Sequence, residues 1–293
     1  MVKIAGVVIA YYPDFEKLIL NIETFINHIE QLFIVFNSPV SAYEVNQLHS
    51  KYTKVHLIIN NENVGVARAL NQTALKVMNL GFEWLLTMDQ DSFFQTELFF
   101  EAFERINKEN VAIFCPYPVS ALQISAEHNS DTEEILCAIT SGNLLNLEVW
   151  KTLNGFEEKL FIDEVDNDFC LKAVLRGFKI IRFKNIQLIH ELGKIKRASF
   201  LIKNYAIITH PPIRAYYILR NNLYIFSKYK RTFPEFVKAR KIMLLKGLIK
   251  IFLFSDKRIQ NCYFIFYGIR DYLINSYGCF KTGEFYNNQN QAG

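Results

Sequence analysis

Short apolar runs without polar alternation recur along the first part of the chain, and segments with helical spacing separate them. Segments such as 15–31 and 66–79 carry apolar residues three and four positions apart, which predicts amphipathic helices. A short apolar run that does not alternate is typical of a strand buried on both faces of a parallel sheet. The pattern therefore predicts repeated βαβ units and an α/β fold with a doubly wound, mostly parallel sheet. The predicted strands are residues 2–10, 32–36, 55–59, 84–88 and 111–114.

The end of the fourth predicted strand carries two carboxylates, Asp89 and Asp91, in the sequence WLLTMDQDS. Ligands of open α/β sheets bind beyond the carboxyl ends of the strands, so polar residues there are candidates for a site. Residues i and i+2 of an extended chain point to the same side, so both carboxylates can face one ligand. Carboxylate oxygens suit Mg²⁺ or Mn²⁺. A solvated turn gives the same spacing, but the position at a strand end favours a metal site.

Four carboxylates crowd six positions of the segment LFIDEVDNDFCLKAVLRGFKI, namely Asp163, Glu164, Asp166 and Asp168. Apolar spacing predicts that a helix continues over residues 167–176. Acidic residues in a first helical turn ordinarily cap the helix and interact favourably with its dipole, which explains Asp168. Crowded carboxylates also raise one another's pKa toward the range of a general base. One of the four is therefore a candidate catalytic base.

Two further segments hold candidate ligand contacts. His190 ends an apolar run and lies near an abrupt change from acidic to basic sequence, where a metal or pyrophosphate contact is the alternative to a structural histidine. Ser141, Gly142 and Asn143 leave room for the backbone to approach a ligand closely. A tight turn explains these three residues equally well.

Composition narrows the class of protein. Of the 293 residues, 51% are hydrophobic and 15% aromatic, which excludes a disordered or collagen-like chain and predicts one large or two smaller domains. Five cysteines without a Cys-x-x-Cys pair indicate neither a disulfide framework nor a zinc cluster, as in a reducing cytosol. We find no signal-peptide pattern and no run of 18 apolar residues in the sequence. These features predict a cytoplasmic protein.

The net charge of +4 hides an asymmetry between two parts of the chain. Residues 1–190 carry 15 basic and 24 acidic side chains, whereas residues 191–293 carry 18 basic and 5 acidic ones. The segment 228–258 interleaves ten basic residues with apolar ones, and such a helix can lie in a membrane interface. A lipid-diphosphate-linked acceptor would explain the charge as well, and packing of the helix on the catalytic part is the alternative. The lysines on one arc of this helix are Lys238, Lys241, Lys246 and Lys250, although Arg240 and Ile242 interrupt the arc.

The chain resembles the inverting glycosyltransferases of family 2, which have the GT-A fold, and within them the rhamnosyltransferase-like group that builds bacterial surface polysaccharides. The resemblance extends from the first strand to about Gly278 and rests on an ordered set of segments. It implies a Rossmann-like, doubly wound sheet with a helical, basic C-terminal extension. The segments are VVIAYYPD, FNSP, NNENVGVARALNQ, TMDQDS, TSGNLLNLEVWKTLNGFEE, FIDEVDNDFCLKAVLRGFKI, IHELG and RAYYILRNNLYI.

The resemblance implies a role for each matching residue. Asp89 and Asp91 match the Asp-x-Asp motif that holds a divalent cation, Mg²⁺ or Mn²⁺, and the sugar-diphosphate of the donor. Asp166 matches the carboxylate that deprotonates the acceptor hydroxyl, with Asp163 beside it as a substrate contact or rival base. His190 matches a histidine that reaches the metal or the diphosphate. The positions that match the nucleotide and donor site are Tyr11, Asp14, Asn37, Asn63, Arg68, Asn71, Asp89, Ser141 and Gly142.

The activity that the resemblance implies is transfer of a sugar, with rhamnose from dTDP-rhamnose as the first expectation, to a hydroxyl of a growing cell-surface polysaccharide or lipid-linked oligosaccharide. A hexose from a UDP-sugar is the alternative, because Phe36-Asn37 stands where family members carry Asp-Asn or Asp-Asp to read the base. We expect a catalytic region over residues 1–195 and a helical basic region over 196–293. We also expect peripheral attachment to the inner face of the plasma membrane.

Two other classes of protein are the alternatives. A nucleotidyltransferase also uses paired carboxylates on an α/β sheet, but its first loop is glycine-rich and basic, whereas this loop reads YYPD. A nucleic-acid-binding protein would use the basic, aromatic C-terminal third. That interpretation leaves the acidic part of the chain and its Asp-x-Asp unexplained. The sequence therefore favours a metal-dependent sugar transferase without a nucleic-acid partner.

Overall fold

The computed structural model describes residues 2–120, 131–190, 195–200, 203–208 and 211–281. These residues form one large sheet, a separate two-stranded hairpin and a set of helices. The strands are β1 (Ile4–Ala10), β2 (Gln31–Phe36), β3 (Val55–Ile59), β4 (Trp84–Asp89), β5 (Ser92–Phe94), β6 (Val111–Val119), β7 (Thr132–Glu134), β8 (Asn143–Asn146), β9 (Lys179–His190), β10 (Ile195–Phe200) and β11 (Lys203–Ile208). The helices are α1 (Phe15–Glu23), α2 (Ala42–Lys51), α3 (Val66–Asn79), α4 (Leu98–Arg105), α5 (Leu147–Thr152), α6 (Val165–Leu175), α7 (Ile213–Tyr229), α8 (Pro234–Phe254) and α9 (Arg258–Leu273).

The large sheet has the strand order β3-β2-β1-β4-β8-β6-β9-β5, and β7 pairs with β9. The strands β1 to β4 are parallel to one another, and β6 is parallel to β9. Strand β8 is antiparallel to both β4 and β6, and β5 is antiparallel to β9. The predicted α/β fold with a doubly wound, mostly parallel sheet is confirmed.

Apolar layers on both faces of the sheet explain why the strand sequences do not alternate with polar residues. In β1, Val7 and Ile9 contact the apolar cluster that also holds residues of α3, α5 and α6. Their neighbours Val8 and Ala10 contact a second cluster, which holds residues of α1 and α4. Because successive side chains of a strand point to opposite faces, both sets must be apolar. The strand ends thereby become the places where polar side chains can face a ligand.

The first helix is shorter than the predicted segment 15–31. Helix α1 ends at Glu23, and a 3₁₀ turn over Ile26–His28 leads into β2. The hydroxyl of Thr24 donates a 2.7 Å hydrogen bond to the carbonyl of Asn21. The same hydroxyl accepts a 3.2 Å hydrogen bond from the amide of Phe94. A side chain that competes with the helical hydrogen bonds in this way favours a helix end.

The C-terminal helices differ in how closely they pack on the rest of the protein. Helix α7 contributes buried residues to two apolar clusters and makes the closest approach to α9. A Cβ atom added at Gly268 of α9 would lie 2.9 Å from the carbonyl oxygen of Tyr216, so glycine is required at this crossing. Helix α8 has a single fully buried residue, Val237, over its 21 residues. Most of α8 therefore faces away from the protein.

The helical C-terminal extension implied by the sequence is present from α7 onward. The predicted domain boundary follows residue 195. Residues 191–194, which include Gly193 of the IHELG segment, lie outside the described residues. Among the residues that the structure describes, no helix combines the length and apolarity needed to cross a membrane.

Candidate active site

Three predicted metal ligands come together at the carboxyl end of β4. Asp89 ends β4, Asp91 follows it, and His190 ends β9. Strand β5 pairs with β9 in the register Ser92 to His190, which places the imidazole beside the two carboxylates. The Nδ1 atom of His190 lies 4.0 Å from Oδ2 of Asp89 and 3.6 Å from Oδ1 of Asp91. One donor atom from each residue lies within 4.8 Å of the others, which fits a shared cation.

The environment of this cluster favours a bound positive charge. Desolvation raises the pKa of Asp89 to about 6, and Asp91 also raises it, while His190 lowers it. A partly desolvated carboxylate next to a second carboxylate is stabilised when a cation compensates the charge. The hydroxyl of Ser92, a fully buried residue, forms a 2.7 Å hydrogen bond with Nδ1 of His190. Ser92 thereby fixes the orientation of the imidazole ring.

Ser141 and Gly142 hold the end of β4 in place. The hydroxyl of Ser141 accepts a 3.0 Å hydrogen bond from the amide of Asp89, and the amide of Gly142 donates a 2.7 Å bond to the carbonyl of Thr87. Gly142 has φ +82°, and a Cβ atom there would lie 2.8 Å from Leu188 and 2.9 Å from Pro116. The close approach that the sequence predicted at Gly142 is thus an approach to other protein atoms.

The loops after β1 and β2 carry three of the predicted nucleotide positions, Tyr11, Asp14 and Asn37. The amide of Tyr11 donates a 2.7 Å hydrogen bond to Oε1 of Gln90, so the first loop is tied to the Asp-x-Asp segment. The Tyr11 side chain is 51% exposed and stands edge-on to Tyr12 at 4.8 Å. Asn37 is buried, donates to the carbonyl of Gly65 and accepts from Asn60. Asp14 caps α1 by accepting a hydrogen bond from the amide of Lys17.

The other three predicted nucleotide positions lie just before α3 and within it. The Oδ1 atom of Asn63 accepts from the amide of Gly65 at 2.9 Å, which shapes the turn before α3. Arg68 is exposed on the first turn of α3. Asn71 donates to Phe156 and Glu158 and accepts from Trp150 and the amide of Phe156. These bonds use the full hydrogen-bonding capacity of the Asn71 amide, which fastens α3 to the segment after α5.

The acidic segment before and within α6 divides its carboxylates between different partners. Asp163 forms an ion pair with Arg214 of α7, whose Nη2 lies 3.0 Å from Oδ1. Desolvation raises the pKa of Asp166 to about 6, with the charges of Asp163 and Asp89 adding to the effect. Asp168 is fully buried, and its Oδ1 accepts a 2.6 Å hydrogen bond from Nζ of Lys228. Asp168 therefore joins α6 to α7, and the helix-capping interpretation of this residue is replaced by a buried ion pair.

Arg214 connects the acidic segment to the metal cluster. Burial works against its charge, but the ion pair with Asp163 and the nearby Asp89 and Asp91 outweigh this and raise its pKa. The sequence prediction missed Arg214, and it also missed Gln90 and Ser92. The segment RAYYILRNNLYI contained the signal for Arg214, because it places a basic residue at the start of a helix.

The chain is similar to a known protein family and to a bacterial protein. A family model described as glycosyl transferase family 2 matches residues 7–173, which is more than half of the chain. The dTDP-rhamnosyl transferase RfbF of Shigella flexneri is 25% identical over 245 residues, which cover 77% of this chain and 80% of that protein.

Solved structures share the fold at low sequence identity. The crystal structure of S. aureus TarS 1–349 in complex with UDP-GlcNAc matches with a TM-score of 0.54 and 14% identity, over 93% of this chain and 81% of that one. The crystal structure of GalNAc-T7 with UDP, GalNAc and Mn²⁺ matches with a TM-score of 0.54 and 10% identity. The latter match covers 65% of this chain, which spans 44% of the GalNAc-T7 chain. At these identities the likeness concerns the fold alone.

Proposed function

The chain belongs to glycosyl transferase family 2, and from this membership we propose that it transfers rhamnose from dTDP-rhamnose, with inversion, to a hydroxyl of a cell-surface or lipid-linked saccharide. A member of this family with the GT-A fold is a glycosyltransferase that acts on nucleotide sugars. The dTDP-rhamnosyl transferase of Shigella flexneri, aligned over 80% of its length, supports the choice of donor. The observation that carries the proposal is the cluster of Asp89, Asp91 and His190 next to the raised-pKa carboxyl of Asp166.

A divalent cation fits the donor set of this cluster. Two carboxylates and one imidazole at a strand end suit Mg²⁺ or Mn²⁺, and the desolvated Asp89 gains from a compensating charge. Asp89, Asp91 and His190 would hold the ion. When bound, the cation supplies charge neutralisation for the diphosphate leaving group.

The protein's own side chains account for the remaining steps. Asp166 takes the proton of the acceptor hydroxyl as that oxygen attacks the anomeric carbon from the face opposite the diphosphate. With its pKa raised to about 6, Asp166 is mostly ionised at pH 7 and still a stronger base than an ordinary aspartate. The charge of Asp163 is already paired with Arg214, so Asp163 is the weaker candidate for the base. A single displacement of this kind inverts the configuration.

Arg214 is placed to support the departure of the diphosphate. Its guanidinium is 39% exposed and interacts electrostatically with Asp89 and Asp91 as well as with Asp163. A fixed positive group at this position stabilises the negative charge that develops on the leaving group. Asp163 orients the guanidinium through its hydrogen bonds to Nε and Nη2.

The C-terminal region, over residues 196–293, serves the acceptor and the membrane surface in this proposal. Lys238, Lys241, Lys246 and Lys250 of α8 are all exposed. Large apolar residues are exposed on the same helix, and a basic, apolar helix of this kind can lie in the interface of an anionic membrane. We place the protein on the inner face of the plasma membrane. The exposed apolar residues are Ile242, Met243, Leu245, Ile249, Phe252 and Leu253.

A donor panel tests the proposed reaction. The purified protein is incubated with Mn²⁺ and dTDP-rhamnose, UDP-glucose, UDP-galactose or UDP-GlcNAc, and release of the nucleoside diphosphate is measured. We expect release from dTDP-rhamnose above the level of the UDP-sugars, and loss of this release by about 10²-fold or more in Asp91→Ala. Asp131→Ala, which removes an exposed aspartate, is the matched control.

Two results would change the proposal. Release from a UDP-sugar alone would make the protein another hexosyltransferase of the family, the alternative that Phe36-Asn37 leaves open. Stabilisation in a thermal-shift assay by single-stranded nucleic acid, with none by nucleoside diphosphates and Mn²⁺, would reject the transferase.

A further inference from the structure

The backbone just before the proposed base is strained. Phe161, Asp163 and Glu164 have φ values of 68°, 62° and 64°, in the left-handed region that side chains other than glycine rarely adopt. Such a conformation persists only where the surrounding structure determines it. We call residues 161–166 the base loop, because the strained part leads directly into Asp166. The question is which contacts hold it.

Helix α7 holds the backbone of the base loop. The Nδ2 atom of Asn221 lies 2.8 Å, 2.6 Å and 3.1 Å from the carbonyl oxygens of Leu160, Ile162 and Asp163, to which it donates hydrogen bonds. Its Oδ1 accepts a 2.9 Å bond from Nε of Arg220, a fully buried residue. These contacts fix the carbonyl groups, but they leave the side chain of Glu164 to be compensated separately.

The Glu164 carboxylate is buried and depends on side chains from three helices. Its side chain is 2% exposed. Oε2 accepts a 2.9 Å hydrogen bond from Asn167 of α6, and Oε1 accepts a 3.0 Å bond from Asn222 of α7. Arg240 of α8 forms an ion pair with the same Oε1. Among the described contacts of this carboxylate, Arg240 supplies the positive charge.

Arg240 stands out within α8. The neighbouring lysines of this helix are exposed, whereas the Arg240 side chain is 25% exposed and turned toward the catalytic region. This orientation explains why Arg240 interrupted the arc of lysines predicted from the sequence. Arg240 also interacts electrostatically with Asp163, so its charge acts on two adjacent residues of the strained segment.

We propose that Arg240 is a positioning residue, which holds the base loop through the buried carboxylate of Glu164 and thereby places Asp166 for proton transfer. This inference rests on the proposed function for its catalytic part. Without Arg240, Glu164 would be a buried carboxylate with neutral partners only, which is strongly unfavourable. The loop would then open toward water or the carboxyl would take up a proton. Either change displaces Asp166, and small displacements of a catalytic group can lower a rate by about 10²-fold.

The test compares Arg240→Ala and Arg240→Lys with the control Arg176→Ala. Arg176 is exposed at the far end of α6, so its removal deletes the same charge without touching the base loop. Hydrogen–deuterium exchange of peptides over residues 161–166 is measured first, on proteins whose thermal unfolding shows that they are folded. We expect faster exchange in this loop for Arg240→Ala, partial restoration in Arg240→Lys, and no change in Arg176→Ala.

Turnover of the donor found in the panel is measured second. We expect kcat of Arg240→Ala to fall about 10- to 100-fold with the donor KM within about threefold of wild type, and Arg240→Lys to recover part of the loss. Unchanged exchange in the base loop would overturn the proposal, and so would faster exchange with an unchanged kcat. If exchange is faster but the wild-type protein turns over no donor, the proposed function fails while the role of Arg240 in holding the loop stands.

Discussion

Four neighbouring carboxylates have four different environments, and these decide what each can do. Asp163 is paired with Arg214, Glu164 with Arg240 and Asp168 with Lys228. Asp166 has no such cation among its described contacts, and it accepts a hydrogen bond from the amide of Asn167. It is therefore the carboxyl of the set whose protonation is free to change during a reaction.

Replacing Asp166 by asparagine tests the proposed proton transfer separately from donor binding. Asp166→Asn keeps the size of the side chain but removes the proton acceptor, so we expect kcat to fall by roughly 10²- to 10⁴-fold while donor binding persists. Asp163→Asn leaves the proposed proton acceptor in place, so we expect it to lower kcat less than Asp166→Asn does. Initial rates under saturating donor, with donor affinity measured by calorimetry, provide the comparison. A nearly normal rate in Asp166→Asn together with an inactive Asp163→Asn would exchange the two roles.

The same carboxyl gives a pH-dependent contribution to stability. Its pKa of about 6 in the folded state exceeds the ordinary 3.8, so the folded protein binds this proton more tightly than the unfolded chain does. The contribution is therefore complete below about pH 4 and is lost as the pH rises through about 6. We expect Asp166→Asn, compared with wild type in EDTA, to gain about 1–3 kcal/mol in free energy of unfolding between pH 4 and pH 7. Urea denaturation at several pH values measures this, and parallel curves for the two proteins would contradict it.

At the scale of elements, helix α7 connects the C-terminal region to the catalytic part through several charged and polar contacts. It supplies Arg214 to the site, Asn221 and Asn222 to the base loop and Lys228 to the buried Asp168. Asp168 is fully buried, and its second partner, Lys172, lies at 3.5 Å. The contact between α6 and α7 is therefore a charged one, in which removal of one partner strands the other.

Lys228→Met tests this contact. We expect a loss of about 1–3 kcal/mol in free energy of unfolding, below the full cost of stranding a buried charge because Lys172 remains and Lys228 is partly exposed. Adding Asp168→Asn to this variant should recover part of the loss, because the stranded charge is then absent. Lys230→Met, at an exposed lysine next to α7, is the control. Equal midpoints of thermal unfolding for both single variants would show that the ion pair contributes nothing.

The sequence predicted the helices and strands better than it predicted the contact partners of the site residues. Helix α3 and strand β3 have the predicted bounds, because apolar periodicity reflects local geometry and burial on both faces of a sheet. The partners of the acidic segment were not predictable, because Arg214, Lys228 and Arg240 lie 51, 60 and 76 positions from the carboxylates they meet. Apolar periodicity reflects the local geometry of a helix or strand, so it does not predict such distant pairs. In the sequence, Arg240 appeared only as an interruption in the arc of lysines of the segment 228–258.

At the scale of the whole molecule, an acidic catalytic part is joined to a basic helical part. Five acidic residues lie at the metal cluster or in the base loop, whereas the exposed lysines of α8 lie among exposed apolar side chains. A bound cation would compensate the charges of the metal cluster, and an anionic surface would compensate those of α8. We therefore expect donor binding and the proposed membrane attachment to respond differently to salt.

Paired charge reversals separate donor binding from the proposed attachment to a membrane. We expect Lys246→Glu with Lys250→Glu to weaken binding to vesicles of phosphatidylglycerol and phosphatidylcholine by about tenfold or more, with donor binding unchanged, because each basic residue near an anionic leaflet contributes about 1 kcal/mol. Lys151→Glu with Lys184→Glu, at exposed lysines of the catalytic part, lowers the net charge equally and is the control. Co-sedimentation at rising salt measures binding. Identical sedimentation of the two double variants would show that α8 does not face the lipid.

The contact between Arg240 and Glu164 has a thermodynamic consequence for the proposed attachment of the protein to a membrane surface. Coupling between two binding events is reciprocal. If membrane binding of α8 favours the ordered base loop by some factor, the ordered base loop favours membrane binding of α8 by the same factor. A substrate that holds the loop in place would then lengthen the residence time of the protein on the membrane, and its release as product would shorten it. The fraction of the protein that is bound to the membrane would then rise and fall with the concentration of substrate, without a separate regulatory site.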